Sequence, residues 1–171
     1  CGFIGSNLCK HLIKLNYKVI CLDNFHTGNI NNIGELLSHD RFCLIDHDII
    51  KPIFIEQSID EIYHLACPAS PPKYQEDPIY TSKINFIGTL NLLGLAKNKN
   101  AKILLSSTSE IYGEPNITPQ PEHYRGNVNT IGIRSCYDEG KRIAETLMMD
   151  YHKVHNIDTV SYTHLTLPTS P

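Results

Sequence analysis

Short apolar runs alternate along the chain with longer stretches of helical periodicity, the sequence form of repeated strand–helix units around a parallel sheet. The runs Lys18–Leu22, Arg41–Ile45, Glu61–Leu65 and Lys102–Ser106 are rich in Val, Ile, Leu or Tyr and predict four strands. Leu8, Leu12 and Leu15 predict one core-facing helical stripe. Ile84, Ile87, Leu90, Leu93 and Leu95 predict a second, and Ile143, Leu147 and Tyr151 a third. The fold class is therefore α/β, a doubly wound parallel sheet with flanking helices. Open sheets of this kind place ligands at the carboxyl ends of their strands, which directs attention to Asp23, Asp48, Cys67 and Thr108. The cluster Cys67-Pro68-Ala69-Ser70-Pro71-Pro72 falls between a strand and a helix and reads as a rigid loop. Another buried strand should follow Asn156–Val160, but residues 161–171 break the pattern and read as a non-native tail.

Composition narrows the classes without choosing among them. Of 171 residues, 41% are apolar and 19% charged, with 15 Lys and Arg against 18 Asp and Glu, which excludes disorder and a supercharged tail. A net charge of -3 leaves no clustered basic footprint for nucleic acid or an anionic membrane surface. No run approaches the ~18 apolar residues of a membrane span. The six cysteines form no CxxC pair, so free thiols are expected and the cytoplasm is the default location. His152 and His155 stand three apart with no third ligand nearby in sequence, so no metal is expected. The chain opens in mid-motif at Cys1-Gly2-Phe3 and reads as a fragment lacking its first strand.

Gly2-Phe3-Ile4-Gly5-Ser6-Asn7 has the form of the second half of a glycine-rich phosphate-binding turn, where a residue without Cβ lets the backbone approach a pyrophosphate and a helix N-terminus offers free N–H groups. A plain helix-starting turn would look the same. Asp23, 18 residues beyond Gly5 at a strand end, matches the spacing of a ribose-binding acid that repels a 2′-phosphate and so favours NAD over NADP. These features make the expected fold Rossmann-type, with residues 1–160 as a partial NAD-binding domain. Asp48, after the next strand, suits either an adenine amino group or a local cap.

Tyr137-Asp138-Glu139-Gly140-Lys141 puts a phenol and an ammonium at i and i+4, on one helix face. A tyrosine is a weak base at neutral pH, but a neighbouring Lys⁺ favours the phenolate, which could then accept a hydroxyl proton. Chance produces this spacing too. The strand end Ser106-Ser107-Thr108-Ser109-Glu110 adds hydroxyls and a carboxylate that could polarise a substrate oxygen, or could cap the next turn.

In this order of motifs the sequence resembles the extended short-chain dehydrogenase/reductase family of sugar-nucleotide enzymes, and within it the UDP-glucuronic acid decarboxylases. The stretches that carry the resemblance are Leu22-Asp23-Asn24-Phe25 with Thr27-Gly28, Ile62–Ala66 with Pro68–Pro72, Gly88-Thr89-Leu90-Asn91, Ser107–Glu110 and Cys136–Arg142. The resemblance implies a tightly held NAD⁺ that oxidises C4 of UDP-glucuronate, loss of CO₂ from the resulting β-keto acid, and return of the hydride to give UDP-xylose. It implies that Gly2, Phe3, Ile4, Gly5, Asp23, Asn24, Phe25, Thr27, Gly28, Asp48, Ile49, Leu65, Cys67, Tyr137 and Lys141 line NAD. Thr108, Ser109 and Glu110 would face the reacting sugar beside Tyr137 and Lys141. Ile53, Phe54, Lys83, Asn91, Gly94, Lys97 and Tyr151 would contact the nucleotide sugar. Lys83 and Lys97, 14 residues apart on one expected helix, would fall close to four turns apart and could pair with a carboxylate or diphosphate.

The family pattern is broken at two places, Ile84 where relatives carry a hydroxyl residue and Ile133 where a proline is usual. The helices carrying Gly88–Ala96 and Tyr137–His155 resemble those that pair in a homodimer. A C-terminal substrate domain would follow the fragment. The rival readings are a 4-epimerase or 4,6-dehydratase of another nucleotide sugar, and an NAD-binding protein without catalysis.

Overall fold

The computed structural model describes residues 1–162 and divides the chain into two compact units, Cys1–Lys51 and Pro52–Pro171. In the first unit, helix α1 (Phe3–Lys14) leads into strand β1 (Val19–Asp23), a 3₁₀ helix (Ile30–Leu36) and strand β2 (Phe42–Asp46). The two strands pair in parallel from Val19 opposite Phe42 to Asp23 opposite Asp46. Their core joins Cys9, Ile13, Val19, Cys21, Ile33, Leu36 and Phe42. Asn16 stops α1: at φ +68 it is left-handed, so its N–H reaches the Ile13 carbonyl and the Tyr17 N–H reaches that of Leu12.

The leucine stripe expected on α1 is displaced. The buried face is Ser6, Cys9 and Ile13, while Leu12 is only partly buried and Leu15 is 55% exposed. Leu15 is the C-cap, so the chain leaves the helical path there. Ser6 and Cys9 on that face are small residues that a hydrophobicity count passes over.

In the second unit, strands β3 (Glu61–His64), β4 (Lys102–Ser106) and β5 (Thr159–Tyr162) form a parallel sheet in that order. Between them lie α2 (Pro71–Glu76), α3 (Pro78–Lys83), a π turn (Ile84–Gly88), α4 (Thr89–Lys99), a 3₁₀ turn (Ser109–Tyr112) and the long α5 (Ser135–His155). Four predicted strands are thus found within a residue of their expected ends. β5 includes Ser161 and Tyr162, paired with Leu105 and Ser106, so these two residues continue the sheet. The remainder of the expected tail, 163–171, lies outside the described residues.

Two helical expectations change. The run from α3 to α4 is interrupted by the π turn, which adds a residue without completing an extra α turn. Lys83 and Lys97 are therefore shifted by roughly 100° from the one-face alignment their spacing implies in an unbroken α-helix. On α5 the stripe Ile143, Leu147 and Tyr151 is at most half-buried, and the core face is Tyr137, Gly140, Lys141, Ala144 and Met148. In the loop before α5, Gly113 takes φ +65 where a Cβ would collide with the Asn127 carbonyl.

Candidate active site

In the first unit the glycine turn opens α1 with Gly2 as N-cap and no side chain capping the first turn, which also lacks an acidic residue. Its leading N–H groups are thus left without a side-chain partner at the positive end of the helix. Phe3 and Ile4 are exposed, and Gly5 is half-buried. Asp23 ends β1, with Oδ1 accepting the Phe25 N–H at 2.7 Å. Phe25 takes a left-handed φ of +56 to make this tight turn. A Cβ on Gly28 would lie 3.0 Å from Asp23 Oδ1, so only glycine fits beside the carboxylate without displacing it. Asn24 and Thr27 are exposed on the same loop. Asp48 accepts the Ile50 N–H at 3.1 Å, which places it as a local turn cap, and Ile49 beside it is buried.

In the second unit the chemistry gathers around the start of α5. Tyr137 and Lys141 are 6% and 3% exposed. The Lys141 ammonium donates to the Ser106 carbonyl at 2.7 Å and lies 5.9 Å from the Tyr137 ring centre. Thr108 caps the 3₁₀ turn, its oxygen accepting the Glu110 N–H at 3.3 Å. Sequence spacing therefore does assemble Tyr137, Lys141 and Thr108 at the end of β4. Ser109 is exposed and Glu110 half-buried beside them.

The electrostatics differ from the expectation drawn from spacing. Burial raises the Tyr137 phenol, Cys67 and Glu110 add to the rise, and the Thr108 hydroxyl opposes it. Burial lowers Lys141 itself, against the pull of Cys67 and Glu145.

Four buried polar groups surround this pair and were not singled out by sequence. Tyr74 on α2 stacks on Tyr137, ring centres 4.8 Å apart and planes at 6°, although its buried hydroxyl has no hydrogen-bond partner. Asn85, in the π turn, is fully buried and donates to the Thr81 carbonyl at 3.0 Å and the Cys67 sulfur at 3.3 Å. His64 pairs with Thr89 at 3.1 Å and is lowered to about 3 by burial, with Lys141 adding to the shift. Asp138 is raised to about 6 by burial and by Glu110. Only the Pro-rich loop before Tyr74 and the acid after Tyr137 were signals available in the sequence.

The remaining positions are more dispersed. Leu65 and Cys67 follow β3, half-buried. Ile53 is half-buried and Phe54 90% exposed. Lys83, Gly94 and Lys97 are exposed, while Asn91 and Tyr151 are half-buried. His152 is satisfied locally by the Ile157 carbonyl at 2.8 Å.

A family model described as GDP-mannose 4,6 dehydratase matches residues 1–166. The chain belongs to this family. As a member of the GDP-mannose 4,6 dehydratase family it is 59% identical over 159 residues to UDP-glucuronic acid decarboxylase 5 of Arabidopsis thaliana, with 92% of this chain and 46% of that protein covered. It is 52% identical over 157 residues to UDP-glucuronic acid decarboxylase 1 of Xenopus tropicalis, covering 92% of this chain and 37% of that one. The chain thus spans about half or less of the curated relatives it matches. Among solved structures, UDP-N-acetylglucosamine 4-epimerase from Methanobrevibacter ruminantium, in complex with UDP-N-acetylmuramic acid, superposes with a TM-score of 0.80 at 27% identity over 95% of this chain and 51% of that one. The α/β architecture with parallel strands and flanking helices is the Rossmann-type fold of these neighbours.

Proposed function

We propose that the protein carrying this chain is an NAD-dependent UDP-glucuronate decarboxylase that forms UDP-xylose through a 4-keto intermediate. The observation that carries the reading is the buried Tyr137–Lys141 pair brought against Thr108, in a chain 52–59% identical to proteins named UDP-glucuronic acid decarboxylase. The uncapped start of α1, the carboxylate of Asp23 and the close approach at Gly28 fit a dinucleotide's pyrophosphate and ribose. We assign Gly2, Phe3, Ile4, Gly5, Asp23, Asn24, Phe25, Thr27, Gly28, Asp48 and Ile49 in the first unit, and Leu65, Cys67, Tyr137 and Lys141 in the second, to NAD.

Bound NAD supplies a reversible hydride acceptor at the sugar's C4. Tyr137 takes the proton of the C4 hydroxyl, with Thr108 donating to the same oxygen and steadying it. Thr108 already lowers the phenol in this structure, so its hydroxyl is the group that opposes burial. Lys141, fixed on the Ser106 carbonyl, holds its charge on the face of α5 that carries Tyr137. A ketone at C4 makes the C5 carboxylate a β-keto acid, which loses CO₂ to leave an enolate. Glu110 then gives a proton to C5. Ser109 joins the sugar side of this cluster. Ile53, Phe54, Lys83, Asn91, Gly94, Lys97 and Tyr151 are assigned to the nucleotide sugar. Pairing of two copies across α4 and α5 would cover the half-exposed Ile143 and Met149.

The test is to incubate the full-length protein with NAD⁺ and UDP-glucuronate and follow the sugar nucleotide by proton NMR. UDP-xylose with release of CO₂ is the expected result. A six-carbon product inverted at C4 would overturn decarboxylation in favour of epimerisation.

A further inference from the structure

The residue after Lys141 makes a second grip on the end of β4. Arg142 donates from Nη1 to the Ile111 carbonyl at 2.7 Å. Lys141 donates to the Ser106 carbonyl at the same distance, so two consecutive cations of α5 hold carbonyls on either side of residues 107–110. Neighbours on a helix project about 100° apart, which lets them reach opposite ends of one segment. The two ends are not held alike. Ser106 lies in β4, and the Ser107 N–H donates to the Tyr162 carbonyl of β5 at 2.8 Å, so the near end belongs to the sheet. The far end is the 3₁₀ turn Ser109–Tyr112, whose first bonds are long: the Ile111 N–H to the Thr108 carbonyl and the Glu110 N–H to the Thr108 hydroxyl, both at 3.3 Å. The Gly113 N–H closes the turn on the Glu110 carbonyl at 2.9 Å without tying it to another element. A charge-assisted bond at 2.7 Å is stronger than these, and it satisfies the carbonyl of a residue that is 6% exposed. Glu139, 3.5 Å from Arg142 Nε, orients the guanidinium from within α5. The Arg134 guanidinium lies 3.9 Å from the Glu110 carboxylate, with both side chains partly in solvent, and fixes no backbone.

We propose that Arg142 is a positioning residue for Glu110: by holding the Ile111 carbonyl it fixes the 3₁₀ turn, and with it the carboxyl that protonates C5. The inference rests on the decarboxylase reading above. In that reaction the C5–C6 bond breaks to release CO₂, and its electron pair stays as the enolate of the 4-ketone. The proton on the Glu110 carboxyl moves to C5, leaving a carboxylate that regains a proton from solvent. No oxidant or further reactant is required. Arg142 touches neither the sugar nor the moving proton. Oxidation at C4 is served by Tyr137 and Thr108, beside the end that Lys141 and the sheet already hold. Loss of Arg142 should therefore fall on the later step, the protonation of C5. Reduction at C4 waits for that proton, so a slowed Glu110 leaves the cofactor in its reduced form.

In the full-length holoenzyme, Arg142→Met keeps an apolar stem and removes the donors, whereas Arg142→Lys keeps a cation that can make the same single bond. Arg142→Met should lower kcat about 10²-fold, the scale of a misplacement near ~1 Å, with KM for UDP-glucuronate within about twofold. Reduced nicotinamide should build up during turnover beyond the wild-type level, read by its near-ultraviolet absorbance. Arg142→Lys should be about tenfold down, with a smaller build-up. A merely structural role would lower Tm without separating the two halves of the reaction. In parallel, hydrogen exchange read by mass spectrometry, without substrate, should show residues 108–113 losing protection in Arg142→Met while β3 keeps its own. If Arg142→Met fails to fold, the same readouts apply to Arg142→Lys. Unchanged exchange at 108–113, kcat within about twofold of wild type, or a fall in kcat without build-up of reduced cofactor would overturn the proposal. If the wild-type protein leaves UDP-glucuronate unchanged, the decarboxylase reading fails and the purpose given to Arg142 with it, while the exchange experiment still decides whether Arg142 holds the turn.

Discussion

Replacing Gly140 by alanine sets two effects of opposite sign against each other. In the interior of an ordinary helix the change stabilises by about 1 kcal/mol, because alanine loses less backbone entropy on folding. Here the new Cβ would stand 2.8 Å from Asn85 Nδ2, 3.0 Å from its Cβ and 3.1 Å from its Cγ. Rotating the amide away would cost its hydrogen bonds to the Thr81 carbonyl and the Cys67 sulfur, about 1 kcal/mol each. Rotation would still leave the contact with Asn85 Cβ, which is anchored to the backbone. The π turn and α5 would have to separate, and overpacking of this kind costs about 1–3 kcal/mol. The net expectation is destabilisation by about 2 kcal/mol. Thermal unfolding of the full-length protein followed by circular dichroism should show Tm lowered by about 4 °C or more. In a cycle with Asn85→Ala, which deletes the amide but keeps Cβ, the two substitutions should couple by about 1 kcal/mol. A rise in Tm for Gly140→Ala would refute the close packing on which this reasoning depends.

Tyr137→Phe removes the proton acceptor and should cut turnover by about 10²–10⁴ with the circular dichroism spectrum unchanged, and near wild-type turnover would remove Tyr137 from the mechanism. Asp23→Ser deletes the charge that repels a 2′-phosphate, so calorimetry should show the NADP⁺-to-NAD⁺ affinity ratio rising by roughly tenfold, about 1.4 kcal/mol. An unchanged ratio would take Asp23 out of cofactor choice. His64, held at about 3 against an ordinary 6.5, is uncharged when folded but gains a proton when unfolded below that value. Its contribution is therefore complete above about pH 6.5 and is lost as pH falls toward 3. By pH 5 this amounts to about 2 kcal/mol. His64→Gln should flatten the acid side of the Tm–pH curve by that share, and an unchanged slope would show that His64 is not the group responsible.

The strands were legible because parallel strands covered on both faces are nearly continuous apolar runs, and Lys102–Ser106 needs no other clue. The glycine turn, Asp23 and the Tyr137–Lys141 spacing were legible because each is a local pattern with a chemical reason. What escaped was non-local or aperiodic. A 3.6-residue count cannot register the π turn at Ile84–Gly88, so the phase relation of Lys83 to Lys97 was misjudged. Tyr74 stands 63 residues before Tyr137, and nothing in either segment announces that their rings stack. Asp138 looked like one more charge on a helix until burial and the neighbouring Glu110 gave it a different environment.

A further misjudgement bears on how the site works. Hydrophobicity pointed to Ile143, Leu147 and Tyr151 as the inner face of α5, yet that face is made by Tyr137, Gly140, Lys141, Ala144 and Met148. A helix that buries a lysine and a tyrosine gives up the cheaper option of leaving both in water, and each must find compensation inside. Lys141 finds it at the Ser106 carbonyl and Tyr137 at Thr108 and the Tyr74 ring. Those partners come from β4, the turn after it and α2, so the reactive pair cannot move without disturbing the sheet end and two other elements. Rigidity at the site is then a consequence of burial rather than of any special bond. Substitutions at Asn85, Gly140 or Tyr74, none of which is a proton donor or acceptor in the proposed reaction, should reach the chemistry through the angle and position of α5, lowering kcat in proportion to the packing they disturb.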